Sequence, residues 1–394
     1  MSDAVDVLWH DGYLGYDLGD HPLNPVRLEL TMALARALGV LDRPDVALVQ
    51  PDPADDATLE LAHDADYIAA VRAAPGDRWF RGFGLNTSDN PVFPNMHEAS
   101  ALVVGGTVLA AERVWRGDAQ HAVNIAGGLH HAMRDHASGF CVYNDPAIAI
   151  SRLLGLGAGR VAYVDVDVHH GDGVQAAFWT DPRVLTVSVH ESPRALFPGT
   201  GYPDETGAGE AAGTAVNLAL PPGTGDAGWL RAFSAIVPPV VRAFDPDVLV
   251  SQCGCDTHRL DPLAHLALSV DGQRASYAAM HALAHDVCGG RWVVVGGGGY
   301  GLVEVVPRAW THLLAEVTGH PLAPGTGTPM TWRELAASRV PGTRPPTTMT
   351  DAAPPQWRPW SPGEDLDPVD GAIAATRAVV FPLLGMDPDS PATS

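Results

Sequence analysis

The feature that most constrains this 394-residue chain is a set of short, valine-rich runs that stop abruptly at Gly, His or Asp. Eight such runs are predicted as strands: 6–9, 46–50, 122–125, 160–168, 184–190, 215–220, 248–253 and 292–295. They are apolar without alternation, the pattern of strands covered on both faces, as in a parallel sheet. Helical stretches fill many of the intervals, at 25–38, 59–73, 97–115, 227–244 and 273–287. Asn24 and Pro25 open the first of them as cap and first-turn proline. Strands alternating with helices define an α/β chain. The expected architecture is one three-layer domain over residues 1–320, around a central, mainly parallel eight-stranded sheet. Beyond Gly319 the composition shifts, and ten of the 34 prolines fall between Pro321 and Pro362. Short helices are expected at 331–338 and 368–378. Trp357, Trp360, Val379, Val380, Phe381, Leu383 and Leu384 would be awkward in solvent, so 321–394 is expected to be an extension wrapped on the main domain.

Charge narrows the function classes. The net charge is 24 − 46 = −22, and no run of basic residues offsets it, which argues against binding DNA or RNA phosphates. The longest nearly uncharged apolar stretch, 99–111, is too short to span a bilayer. Four cysteines are no disulfide scaffold, and the N-terminus lacks a basic-then-apolar leader, so a cytoplasmic location is expected.

In open parallel sheets, ligand sites form beyond the carboxyl ends of the strands. The richest strand exit is Asp165-Val-Asp167-Val-His169-His170-Gly171-Asp172-Gly173. Asp165, Asp167 and His169 recur at period 2 and would point the same way on a strand. Burying three ionisable groups together calls for charge compensation, and a divalent cation supplies it; carboxylate and imidazole donors suit zinc, iron(II) or manganese. His130-His131 follow another strand as ligands or an acid/base pair, with Asp165 and Asp172 as carboxylates to orient them. Asp256 is a candidate third ligand, while His258, Asp261, Cys253 and Cys255 read as structural. The run Gly296–Gly299 lacks the following Gly-Lys-Ser/Thr of a phosphate loop; its backbone would instead line a narrow pocket with Tyr300 aimed inward. Phe140 and Phe197 sit on separate loops that could wall a slot. Together these residues are equipment for metal-assisted hydrolysis of an amide.

The blocks His130-His131, Gly139-Phe140, Asp165 to Gly173, Phe197-Pro198-Gly199-Thr200-Gly201, Asp256 and Gly296 to Tyr300 occur in the order seen in the arginase–deacetylase superfamily. They resemble the zinc-dependent histone deacetylase branch over about residues 5–318. Within that branch, His21-Pro22, Arg27, the block Asp89 to Glu98, Cys255 to His258 and the Trp/Pro-rich extension resemble the bacterial acetoin-utilization deacetylases. The resemblance implies that Asp167, His169 and Asp256 hold a catalytic zinc. It implies His131, paired with Asp172, as general base and then acid, and His130, paired with Asp165, as mainly electrostatic. Tyr300 would polarise the acetyl carbonyl, and Phe140 and Phe197 would sandwich the acyl-lysine stem. Asp89 would meet the substrate backbone at the rim; Arg27, Gly298 and Gly299 would line an internal acetate pocket. A structural potassium ion is implied at Asp165, Asp167, His169, Ser188 and Val189, and a second at Phe178, Asp181 and Val184. His190-Glu191-Ser192-Pro193-Arg194 gives the rim loop its own charge pattern.

The implied activity is removal of acetyl groups from lysine side chains of proteins, with acyl-CoA synthetases as the suggested class of target. An acetylpolyamine amidohydrolase is the alternative, and a non-catalytic binding protein is a further one. An arginase-like two-manganese site would need an Asp-x-Asp pair where Asp256-Thr257-His258 stands. Oligomeric state and acyl-chain preference are left open.

Overall fold

A computed structural model describes residues 4–363 and 367–391 of the chain. The valine-rich runs become eight strands among the described residues. They are β1 Val5–Leu8, β2 Val46–Val49, β3 His121–Asn124, β4 Val161–Asp165, β5 Val184–Glu191, β6 Ala215–Leu220, β7 Val248–Gln252 and β8 Trp292–Val295. All pair in parallel, in one sheet of order β2-β1-β3-β8-β7-β4-β5-β6. The central strands are buried on both faces, which is why they lack alternation.

The helices are α1 Val26–Ala37, α2 Asp56–Leu59, α3 Ala65–Ala73, α4 Met96–Arg116, α5 Asp145–Gly155 and α6 Asp172–Ala177, followed by α7 Asp226–Phe244, α8 Val270–Cys288, α9 Val306–Val317, α10 Met330–Arg339 and α11 Pro368–Leu383. α4 packs on α5 over the middle of the sheet; α7, α8 and α9 form a second row, with α1 against α9. Asn24 caps α1 by accepting the Val26 N–H at 2.9 Å. Periodicity did not announce α5, α6 or α9. Every residue of α9 is buried, so it has no polar face to reveal a period.

Two expected elements differ. The helix expected at 59–73 is broken between α2 and α3, because buried His63 turns inward. Its Nδ1 meets the Met133 carbonyl at 2.9 Å and its Nε2 accepts the Asn144 N–H at 2.9 Å. The strand expected at 160–168 ends at Asp165, where the chain leaves the sheet in a series of bends. Asp165, Asp167 and His169 therefore do not share one strand face: Asp165 turns to His130 and Tyr163, while Asp167 and His169 meet each other.

The C-terminal segment runs along the main domain. Trp332 of α10 donates Nε1–H to the Leu30 carbonyl at 2.9 Å and packs with Leu30, Leu34, Val303 and Met349 in a small second core. α11 runs to Leu383, past its expected end, and buries Val380 and Phe381 against the main core. Thr376 of α11 donates to the Asn217 carbonyl at the end of the sheet, at 2.8 Å. Trp357, Val379 and Leu383, expected to be sheltered, are exposed. No helix among the described residues is long and apolar enough to cross a membrane.

Asp351 ties this segment to the site. Its carboxylate meets His258 Nε2 at 2.8 Å, Arg308 Nη1 at 2.9 Å and Arg259 Nη1 at 3.3 Å, and accepts the Val270 N–H at 3.0 Å. Arg308 is buried, so removing the carboxylate leaves its charge without this partner and leaves buried His258 Nε2 without its hydrogen-bond partner. Asp351→Ala is expected to destabilise the fold by about 3–5 kcal/mol, as breaking a buried ion pair does. Denaturant unfolding checks this; a midpoint equal to wild type would mean that Arg308 finds another partner.

Candidate metal centre and active site

Four adjacent strands, β3, β8, β7 and β4, send their carboxyl ends to one place. The loop after β3 carries His130 and His131, and buried residues at the start of α5 hold it. Asp145 accepts the Gly128 N–H at 3.0 Å and the Leu129 N–H at 2.9 Å. The Asn144 amide donates to the carbonyls of His130 (3.2 Å) and Ala132 (2.9 Å). Burial pushes the Asp145 carboxyl up to about 6, against its hydrogen bonds.

Two parallel His–Asp pairs result. His130 Nδ1 lies 2.7 Å from Asp165 Oδ2, and His131 Nδ1 lies 2.6 Å from Asp172 Oδ1. The two Nε2 atoms are 3.0 Å apart. Burial opposes the charge on His130, but Asp165, Asp167 and Asp172 outweigh it and hold its pKa up at about 9. Burial and the His130 charge both keep His131 below the ordinary imidazole value. Neutral His131, with Nδ1 on Asp172, keeps a lone pair on Nε2.

Beside them, Asp167, His169 and Asp256 each offer one ligand atom, and these atoms lie within 4.8 Å of one another. His169 Nδ1 stands 3.0 Å from Asp167 Oδ1 and 3.1 Å from Asp256 Oδ2. The second oxygen of Asp167 accepts from Gln252 Nε2 and the Gly298 N–H, both at 2.7 Å; Asp256 Oδ1 accepts the Val168 N–H at 2.9 Å. Among the described residues no arginine bonds either carboxylate. Burial and the Asp167 charge push the Asp256 carboxyl up, and the two carboxylates hold the His169 imidazole up against its burial. Two carboxylates and an imidazole, buried and lacking a fixed counter-cation, fit a divalent metal. At Gly298 a Cβ would overlap the Asp256 carboxylate, so this glycine keeps the face of the cluster open.

Tyr300 closes the site from β8. Asp261 accepts its N–H at 2.8 Å, so Asp261 positions the tyrosine, a role beyond the structural one read from sequence. Burial, then the charges of Asp256 and Asp167, keep the Tyr300 hydroxyl protonated far above neutral pH. Arg27 donates to the carbonyls of Gly297 (2.8 Å) and Gly299 (3.1 Å) beneath it and lies over Trp310. Phe140 stands edge-on to Tyr300 at 5.8 Å, and Phe197 edge-on to His131 at 5.1 Å. The two rings thus flank the cleft from the tyrosine and histidine sides, and Phe197 is largely exposed. Tyr16, not singled out from sequence, fixes Phe140 by donating to its carbonyl at 2.8 Å. Asp89 accepts the Gly139 N–H at 3.0 Å, which ties the rim to the Phe140 loop.

Ser188 on β5 is in register with Asp165 on β4, and its hydroxyl meets His190 Nδ1 at 2.8 Å; Val189 follows it, fully buried. Phe178, Asp181 and Val184 form a turn in which Phe178 accepts from Asp181 (3.0 Å) and Asp181 from Val184 (3.2 Å). His258 and Cys253 and Cys255 are buried, as structural residues are. Gln252, Tyr163 and Asp145 were not read from sequence, although Tyr163 donates to Asp165 at 2.7 Å. Their signal is a polar residue inside, or directly after, an apolar run.

Comparison with known proteins agrees with this geometry. The histone deacetylase domain matches residues 21–317. The chain is 44% identical over 338 residues to acetoin utilization protein AcuC of Bacillus subtilis, covering 84% of this chain and 86% of that protein. It is 39% identical to the AcuC protein of Staphylococcus xylosus, covering 84% and 87%. A crystal structure of an HDAC homologue from Aquifex aeolicus superposes with a TM-score of 0.81 at 30% identity, covering 95% of this chain and all of that one. A structure of an HDAC homologue complexed with SAHA matches equally well.

Proposed function

The chain belongs to the histone deacetylase family, and from that premise we propose that it removes acetyl groups from lysine side chains of proteins, releasing acetate. The observation that carries this reading is the pair of His–Asp couples, their Nε2 atoms 3.0 Å apart, beside the Asp167–His169–Asp256 cluster. Zinc is the metal we assign to that cluster, with Fe2+ or Mn2+ as ions the same donors accept; when bound it supplies a Lewis acid for the acetyl carbonyl and acidity for the attacking water.

The chain's own residues do the rest. His131 Nε2 takes a proton as the water oxygen bonds to the acetyl carbon. Asp172 holds its Nδ1–H and steadies the cation that forms. The same Nε2 proton then passes to the lysine nitrogen as the carbon–nitrogen bond breaks, leaving acetate. The Tyr300 hydroxyl donates to the oxygen that gains charge. Phe140 and Phe197 hold the neutral stem of the acyl-lysine, and Asp89 accepts from the substrate backbone at the rim. Arg27, with Gly298 and Gly299, lines the space for acetate. A potassium ion at Asp165, Asp167, His169, Ser188 and Val189 would stiffen the loop behind the centre. Four free, buried cysteines support a cytoplasmic setting.

One pH dependence follows from the geometry. His131 must be neutral to accept a proton, and the His130 charge lowers its pKa. The acid limb of kcat/KM is therefore expected below the ordinary imidazole value of about 6.5. His130→Ala removes that charge, so the His131 pKa rises and the limb moves to higher pH. An unmoved limb would assign it to another group.

All 24 basic residues are arginine, so the protein carries no acetylatable lysine, and acetyl-lysine lost in an assay comes from the substrate. The test is a panel of acetyl-lysine peptides, acetylated acyl-CoA synthetase, longer acyl-lysines and acetylpolyamines, with defined metals. Acetate release from the acetyl-lysine proteins is expected. Cleavage of acetylpolyamines alone would overturn the protein-deacetylase reading.

A further inference from the structure

At the other end of the sheet, three histidines converge. His121 is the first residue of β3, whose opposite end leads to the catalytic loop. His281 and His285 are one turn apart on α8. His281 Nε2 lies 3.2 Å from His121 Nε2 and 3.1 Å from His285 Nε2, and one ring nitrogen from each lies within 4.8 Å of the others. We infer that His121, His281 and His285 form a second metal site, taking one late first-row divalent cation such as Zn2+.

Hydrogen bonding alone accounts poorly for this contact. A ring Nε2 carries either one hydrogen or one lone pair. His281 Nε2 is approached by two nitrogens at once, one more than it can serve well. A cation serves all three. Zn–N bonds of about 2.0–2.1 Å in tetrahedral geometry put neighbouring nitrogens about 3.3 Å apart, close to both observed separations.

The rings are also held as ligands need to be. The Trp292 indole stacks on His281 at 5.4 Å and 15° and meets His121 edge-on at 5.7 Å. Trp292 is itself fixed, fully buried and donating to Ser251 Oγ at 2.8 Å. His121 stands nearly perpendicular to both other imidazoles, at 89° and 83°. The three rings open on a cavity of about 270 Å³ that Asp45 and His320 also line. His285 is exposed and gives the ion a way in. Donors on β3 and α8 would be clipped together, across 160 residues of chain between His121 and His281.

Metal content of the full-length protein tests the inference. Chelator-stripped protein is loaded with Zn2+, desalted and assayed for zinc by atomic emission. Wild type should carry two ions per chain, His285→Ala one, and Asp256→Ala one. Because His285 is exposed, its removal spares the core, and His285→Ala should keep full deacetylase activity. Co2+-loaded Asp256→Ala should show the visible absorption of tetrahedral cobalt, lost when His285→Ala is added. If wild type and His285→Ala carry the same number of ions, and Asp256→Ala carries none, the histidines are only hydrogen-bonded and the inference is overturned.

Discussion

Tyr300→Phe is expected to lower kcat by about 10²–10³-fold and leave KM nearly unchanged, the signature of losing one oxyanion donor. The substitution keeps the ring, so the edge-on contact with Phe140 and the Asp261 tie to the Tyr300 backbone survive. Only the hydroxyl goes, and burial beside Asp256 and Asp167 keeps that hydroxyl protonated and able to donate. His131→Ala should cost about 10²–10⁴-fold in kcat, the range for a general acid–base group. The two losses should not add fully, since both act on the same transition state. Steady-state kinetics on one acetyl-lysine peptide checks all of this. A raised KM with normal kcat would move Tyr300 from the reacting oxygen to substrate binding.

Asp256→Ala should abolish metal uptake at the catalytic cluster and, without metal, make the protein no less stable than wild type. Asp167 and Asp256 are both buried, and the Asp167 charge helps to push the Asp256 carboxyl up. Without metal, burial and that charge keep Asp256 protonated, so removing it takes no charge from the fold. Metal reverses the order. A ligand that binds only the folded state stabilises by about 4 kcal/mol at a thousandfold excess over Kd. Wild type should gain that at this centre and the variant should not. Binding also displaces protons from His169 and Asp256, so affinity should rise with pH. Thermal unfolding of both proteins with the second, three-histidine site removed by His285→Ala isolates the effect. A variant that still takes up metal there would remove Asp256 from the ligand set.

How much of this was legible differs by element. The sheet was legible because buried parallel strands leave uninterrupted apolar runs, and each run declares itself locally. α9 was not, because a helix buried on every side has no period to read. The cluster of Asp165, Asp167 and His169 was legible as chemistry but not as geometry. The period-2 argument put all three on one strand face, yet β4 stops at Asp165, whose carboxylate turns to His130 and Tyr163. Asp261 looked structural and Asp145 went unread because their partners, the backbone of Tyr300 and the loop before His130, are remote in sequence.

The sequence by itself determined which segments are strands, which strand exits carry ionisable groups, and the family to which the order of those groups belongs. Tertiary structure alone decided which exits meet. That choice lies in the strand order, which places β3, β8, β7 and β4 side by side although β4 precedes β7 by some eighty residues. The same order brings His121 of β3 against α8 and Trp292 of β8. Apolar periodicity is a property of neighbouring residues and records only which face is buried. The order of strands is settled by packing among distant segments, and no local spacing encodes it.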